Sequence, residues 1–230
     1  MYYLIFIIKN MYGRQGMITL YHGSKKIIER PTTDMIRYAC GLGQGFYLTD
    51  DETKAEEYAV SLGQDGYVSS YNIELDKYNV LDLRDEKYSP LNWAGIFAAN
   101  RSIDATSIDA LSAKRYLIDS LAPIGDYDIV IGCRCDGVYT RVATDFINGN
   151  LSYRNLCRML NVGEVQYAIL REDIIDDLEF TGAKFVSSSE VYPRKDMTYA
   201  KKLEGYNKRL NAPARNGDVY VADIIKEGMR

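Results

Sequence analysis

Between Gly43 and Leu62 the sequence changes its hydrophobic period from two to nearly four with almost no linker, and this junction limits the folds open to the chain. Gly43-Gln44-Gly45-Phe46-Tyr47-Leu48-Thr49 reads as a short strand bracketed by glycines. Thr49-Asp50-Asp51-Glu52 then has the form of a capping box, in which a threonine oxygen accepts from the backbone and the glutamate reaches back. A helix is therefore predicted from near Asp50, with Ala55, Tyr58, Ala59 and Leu62 along one face. A strand feeding so directly into a helix brings Tyr47 and Tyr58 toward each other, and two phenol rings can clasp a flat heterocycle. With twenty tyrosines in the chain, a plain core role for Tyr58 stays open.

The rest of the chain alternates short strands with helices, which makes it α+β. Met17-Ile18-Thr19-Leu20 is a strand that runs into the polar turn Tyr21-His22-Gly23-Ser24. Gly66 to Leu75, Tyr127 to Gly132, Glu164 to Leu170 and Glu179 to Ser187 read as further strands, and Val219-Tyr220-Val221 as a last one. Helical stretches are predicted with Leu111, Ile118 and Leu121 on one face, in the segment running toward Gly149 into which Cys133 to Arg141 leads, around Leu156-Cys157, and at Ile174-Ile175. The expected organisation is an N-terminal extension over 1–16, one domain over 17–187, and a C-terminal extension over 188–230 packing on it. Lys201, Lys202, Lys208 and Arg209 in that extension read as a solvated helix face, with a docking role as the alternative.

Nearly half of the 230 residues are hydrophobic, enough for one sizeable core. The net charge of −4 does not favour a general nucleic-acid binder. Cys40, Cys133, Cys135 and Cys157 match neither a zinc pattern nor a secreted disulfide scaffold, so no metal and a cytoplasmic location are expected. The apolar run from Tyr2 to Ile8 is too short to span a bilayer, so no membrane role is expected.

His22 is the sole histidine. A histidine at a strand end reads either as a surface or core residue or as a ligand contact. Gly23 permits close backbone approach, Ser24 supplies a hydroxyl, and an imidazole can donate to or accept from a ribose hydroxyl without changing charge.

Taken in order, Leu20-Tyr21-His22-Gly23-Ser24-Lys25, Gly45-Phe46-Tyr47-Leu48-Thr49-Asp50 and Ala55-Glu56-Glu57-Tyr58 resemble the successive NAD-binding motifs of ADP-ribosyltransferases of the diphtheria-toxin and poly(ADP-ribose) polymerase class. The similarity runs over roughly residues 17 to 187 and is nearest to a bacterial branch often encoded as toxins of toxin–antitoxin pairs. It implies two packed half-sheets with flanking helices and an NAD cleft between them. It also implies a cofactor-binding set of Tyr21, His22, Gly23, Ser24, Gly45, Phe46, Tyr47 and Tyr58.

The family's fourth element is a glutamate on a late strand, and here Gln166 of Glu164-Val165-Gln166-Tyr167 stands in its place. Cleaving the nicotinamide–ribose bond builds positive charge on the ribose, which a carboxylate stabilises. An amide keeps the hydrogen bond but forfeits the charge and cannot act as a base. Glu164 lies two residues away on the same strand face, and its role is either acceptor contact or an exposed strand-start carboxylate. Arg134 and Asp136 are further candidates, for pyrophosphate or acceptor contact, against a plain turn role for Asp136.

The resemblance implies an NAD-dependent mono-ADP-ribosyltransferase with His22, Tyr47 and Gln166 at the reacting end. Its partners would be an ADP-ribose acceptor (protein, nucleic acid or small molecule) and an antitoxin protein. The alternatives are a non-catalytic NAD or ADP-ribose binding module, or an NAD glycohydrolase on the same fold. A 2′-phosphotransferase would need several arginines and histidines around a phosphate, and one histidine argues against it.

Overall fold

The computed structural model describes residues 16–32, 39–123, 125–134, 137–161 and 163–228. The expected extension over 1–16, apart from Gly16, lies outside the described residues, as do Cys135 and Asp136.

Alternating apolar residues of β1 (Met17–Ser24), β5 (Gly66–Glu74) and β9 (Glu179–Val186) build one antiparallel sheet in the order β1-β5-β9. Leu20, Tyr71 and Ile73 point inward from it. The second sheet has the order β4-β8-β7-β6, from β4 (Phe46–Leu48), β6 (Val80–Asp82), β7 (Ile129–Cys133) and β8 (Val165–Ile169). Its only parallel pair is β6 with β7, whose connection carries helices α2 (Pro90–Asn100) and α3 (Ile108–Tyr116). A small hairpin of β2 (Ala39–Cys40) and β3 (Gly43–Gln44) leads into β4.

The two sheets pack face to face. Leu20, Tyr71 and Ile73 of the first meet Phe46, Leu48, Ile129, Ile131, Tyr167 and Ile169 of the second in one cluster. At each such buried aliphatic or aromatic position the hydrophobic contribution is roughly 1.5–3 kcal/mol. The sheets also touch at their edges, where Tyr21 and Thr49 exchange two backbone hydrogen bonds of 2.8 and 3.0 Å. This bridge sets the His22 end of β1 beside β4.

Helices cover both outer faces. On the first sheet, α1 (Glu52–Ala59) buries Ala55 and Ala59 against Val68 and Val186. On the second, α2, α4 (Val138–Ile147) and α5 (Tyr153–Leu160) form the largest core around Trp93, Phe97, Val142, Phe146 and Leu156. A short α6 (Glu172–Ile175) precedes β9. The long α7 (Ser188–Leu210) and α8 (Val221–Gly228) then return to the larger core through Tyr206, Val221 and Ile225.

Four local expectations are corrected. The α1 cap is Asp51, whose side chain accepts from Lys54 N, while Thr49 Oγ1 accepts only from Asp51 N, so the helix starts later than a Thr49 box implies. Leu62 lies beyond the end of α1 and is exposed. In α3 the buried positions are Ala110 and Ala113, with Leu117 in the turn that follows, and Leu111 faces outward. Val219-Tyr220-Val221 is no strand: the Tyr220 N–H donates to Asp223 and the chain enters α8, because Val221 and Ile225 share a helical face.

Candidate functional site

A cavity of about 200 Å³ opens where the two sheets meet, lined by Tyr21, His22, Gly23, Cys40, Tyr47, Leu48, Tyr58 and Gln166. Three strands and one helix supply the four groups singled out from the sequence. The Tyr21–Thr49 bridge brings β1 and β4 together, α1 carries Tyr58 back over β1, and β8 pairs with β4 so that Gln166 faces the same opening.

His22 is fixed on two sides. Its Nδ1 donates to the Tyr47 carbonyl at 2.7 Å, and its ring stacks on Phe46 with centroids 4.5 Å apart. Desolvation lowers its pKa below 6.5 despite the opposing pull of the Tyr47 carbonyl. The ring is therefore neutral near pH 7, and with Nδ1 committed as donor its Nε2 is an acceptor.

Tyr47 is anchored through its hydroxyl, which donates to the Gly43 carbonyl at 2.6 Å. Tyr58 is held from the opposite side of the fold. Its hydroxyl donates to Glu164 Oε2 at 2.9 Å, and the Arg134 guanidinium stacks over its ring at 4.3 Å. Gln166 lines the cavity from β8, in register with Gly132 of β7.

Glu164 is the centre of a buried ionic cluster. Lys202 of α7 donates to its Oε1, Lys54 lies 3.3 Å from that oxygen, and Arg134 Nη1 donates to Oε2 at 3.1 Å. Burial alone would raise the carboxyl, but Lys202, Arg134 and the Tyr58 hydroxyl outweigh it and hold the pKa at about 2. A carboxylate whose charge is already offset by Lys202, Lys54 and Arg134 does not supply the free negative charge that position 166 lacks.

Of the remaining expected site residues that are described, Tyr21 and Gly23 line the first cavity and Ser24, Gly45, Phe46, Arg134 and Glu164 fall outside it. Arg134 and Glu164 line a neighbouring cavity of about 80 Å³, together with Lys195, Tyr199 and Lys202, and Tyr58 is the wall between the two. Ser24 Oγ donates to the Lys26 carbonyl. Phe46 is buried beneath His22. Gly45 and Gly23 answer to packing: a Cβ on Gly45 would lie 2.5 Å from Ile169 O, and one on Gly23 only 2.0 Å from Ala55 O. Gly23 thus lets α1 lie close on β1, which in turn delivers Tyr58.

The solvated face expected for Lys202 is corrected by its pairing with Glu164. A signal was present in the helical spacing of Lys195, Tyr199 and Lys202, which puts cations and a phenol on one face of α7. Cys40, from the small hairpin, also reaches the cavity without having been singled out. Among the described residues, no group of three or more His, Cys, Asp or Glu side chains is placed to hold a metal ion, and no helix is long and apolar enough to cross a membrane.

These features define an α+β protein of two packed sheets with a polar and aromatic cleft at their junction. Residues 18–180 match the model of the family described as protein of unknown function (DUF3990), and the chain belongs to that family. No curated protein and no solved structure matches it.

Proposed function

We propose that the chain adopts an ADP-ribosyltransferase-like fold, binds NAD in the cleft at the sheet junction and transfers ADP-ribose from it to an acceptor. The observation that carries this reading is the convergence of His22, Tyr47, Tyr58 and Gln166 on one cavity, in the roles that the resemblance assigns to such residues. About 200 Å³ is below the roughly 300–1,000 Å³ of a site enclosing a whole ligand. The cleft suits the nicotinamide–ribose half of a dinucleotide, with the adenosine half lying along the surface.

In this scheme neutral His22 accepts from a ribose hydroxyl through Nε2, while Tyr47 and Tyr58 hold the nicotinamide ring by stacking. The Gln166 amide oxygen accepts from the 2′-hydroxyl of the reacting ribose and orients it. The glycosidic bond breaks with its electron pair leaving on nicotinamide, and the acceptor bonds to the anomeric carbon. Acceleration comes from proximity and orientation more than from charge, since none of the described residues lining the cleft carries a carboxylate. The cysteine pattern fits a reducing cytosol as the setting for such an activity, and the resemblance implies the toxin of a toxin–antitoxin pair.

One observation favours a second reading. Gln166 is uncharged and Glu164 is saturated by cations, so a protein that binds NAD or ADP-ribose without cleaving it has the same cleft. Incubation with NAD labelled in its adenosine half, together with bacterial lysate, separates the two. Label transferred to a lysate component with stoichiometric nicotinamide release supports the transferase. Saturable binding with NAD recovered intact supports the binding module, and release of nicotinamide with free ADP-ribose supports a glycohydrolase.

A further inference from the structure

The chain leaves β1 at Ser24 and turns back over its own sheet. Ser24 Oγ donates to the Lys26 carbonyl at 2.6 Å. Two residues further on, the Ile28 N–H donates to Ser69 Oγ at 3.0 Å, and the Tyr71 hydroxyl donates to the Ile28 carbonyl. Lys25 to Ile28 therefore form a lip across the inner face of the first sheet.

Sheet register shows what lies on either side of this lip. On the inner face, β1, β5 and β9 set His22, Ser69 and Ala183 in one row and Ser24, Tyr67 and Phe185 in the next, about 7 Å along the strands. Ile28 covers Ser69, the middle of the first row. His22 and the sheet-junction cleft thus lie on the β1 side of the lip, and Tyr67 and Phe185 on the β9 side.

These two rings are an exposed pair. They meet edge to face, with centroids 5.6 Å apart and planes at 71°. Phe185 is 56% exposed, and Ile27 on the lip 47%. Lys25 and Lys26 on the lip are also exposed, and among the described residues neither is ion-paired. Glu29 and Arg30 beyond them are exposed and offset one another in charge.

One class of ligand suits these components. Rings open to solvent beside unpaired cations bind single-stranded nucleic acid, whose bases stack on the rings while its phosphates meet the cations. A protein partner would need roughly 800 Å² on this side, which three apolar side chains do not supply. The net charge of −4 confines such a contact to this patch.

We propose that this surface docks single-stranded nucleic acid, with bases on Tyr67 and Phe185 and phosphates on Lys25 and Lys26, and that the strand crosses the lip to present an acceptor atom in the cleft. The acceptor role rests on the NAD-transferase reading. A lone pair on a base nitrogen or a sugar hydroxyl forms the bond to the anomeric carbon as the bond to nicotinamide breaks. Nicotinamide leaves neutral with the electron pair, and the acceptor's proton passes to water.

The test is fluorescence anisotropy with end-labelled DNA and RNA strands of mixed sequence, about twelve nucleotides long, at about 50 mM salt. At least one is expected to bind with a midpoint below about 100 μM. Phe185→Ala is expected to weaken that binding at least about fivefold while leaving the affinity for NAD unchanged. Replacing both Lys25→Gln and Lys26→Gln should reduce the slope of log affinity against log salt by roughly 1.4. Both lysines are exposed, so this second protein tests the idea even where Phe185→Ala fails to fold.

No binding of either strand, or equal binding by a folded Phe185→Ala variant, overturns the assignment. A loss of NAD affinity in that variant also overturns it, because the ring pair then belongs to the dinucleotide. Strand binding with label from NAD passing only to lysate protein rejects nucleic acid as the acceptor and leaves the transferase reading intact. Strand binding without nicotinamide release supports the docking surface and rejects the transferase reading.

Discussion

The Tyr58 hydroxyl donates to the Glu164 carboxylate at 2.9 Å, linking α1 to the start of β8 across 106 residues of sequence. Glu164 is in turn held by Lys202 of α7, so the orientation of one cleft ring is set from the C-terminal helix. Tyr58→Phe keeps the ring and removes only this bond. We expect it to weaken NAD binding about three- to tenfold, corresponding to about 0.5–1.5 kcal/mol. In a Glu164→Ala background, which removes the acceptor, the same change should cost less than about twofold, because the two residues act as one unit. Calorimetric titration of the four proteins measures the coupling, and additive effects would show that Glu164 does not act through Tyr58.

The same carboxylate makes stability depend on acid. Its pKa falls from 4.5 to about 2 on folding, so its contribution is fully present above about pH 5 and is lost as pH falls toward 2. At neutral pH that contribution is about 3 kcal/mol. Denaturant unfolding should find Glu164→Gln less stable than the native chain by about 2–4 kcal/mol at pH 7, with the difference closing as pH falls from 5 to 3. A difference that stays constant over this range would contradict the ionic account.

His22 titrates in the opposite sense from a histidine that gains a carboxylate partner. Desolvation disfavours its charged form, so below pH 6.5 the unfolded chain takes up the proton more readily and stability declines with falling pH. As the only histidine, it gives one imidazole signal by NMR. The expected midpoint is below 6.5, and NAD affinity should be flat from about pH 6.5 to 8. A midpoint above 6.5 would place the ring in a different environment.

Gly23→Ala tests how α1 is seated. The added Cβ would sit 2.0 Å from Ala55 O and 2.7 Å from Ala59 N, backbone atoms that cannot yield without shifting the helix. A loss of about 3 kcal/mol or more in unfolding free energy is expected. A substitution tolerated within about 0.5 kcal/mol would mean that α1 does not lie so close on β1.

Much of this site was legible because its signals are local. The glycine-bracketed strand, the acidic turn after it and the helical spacing of Ala55, Tyr58 and Ala59 each depend on neighbours within a few residues. The strand that carries Gln166 was legible from its apolar residues, whereas Gln166 itself was singled out only by the resemblance. The spacing of Lys202 with Lys195 and Tyr199 was legible but its pairing with Glu164 was not, because an exposed lysine and a lysine whose carboxylate partner lies on another element look the same in one dimension. Gly23 showed the converse. Its smallness was plain, but only the path of α1 reveals that the space serves a helix backbone. Val219-Tyr220-Val221 misled because a short apolar run carries no period, and burial at Val221 and Ile225 decides for a helix.

Gln166→Glu restores the acid that the resemblance leads one to expect. With a carboxylate facing the reacting ribose, nicotinamide release should rise at least tenfold with NAD affinity changed by less than about threefold. Unchanged release with intact binding would place the reacting ribose away from residue 166.

The central claim is that four groups from β1, β4, α1 and β8 surround one dinucleotide, and calorimetric titration of the native chain with NAD tests it most directly. One saturable site is expected, with affinity lost at least tenfold in both His22→Ala and Tyr47→Ala variants that retain their native circular dichroism. No heat of binding to the native chain, or binding that both variants preserve, would contradict it.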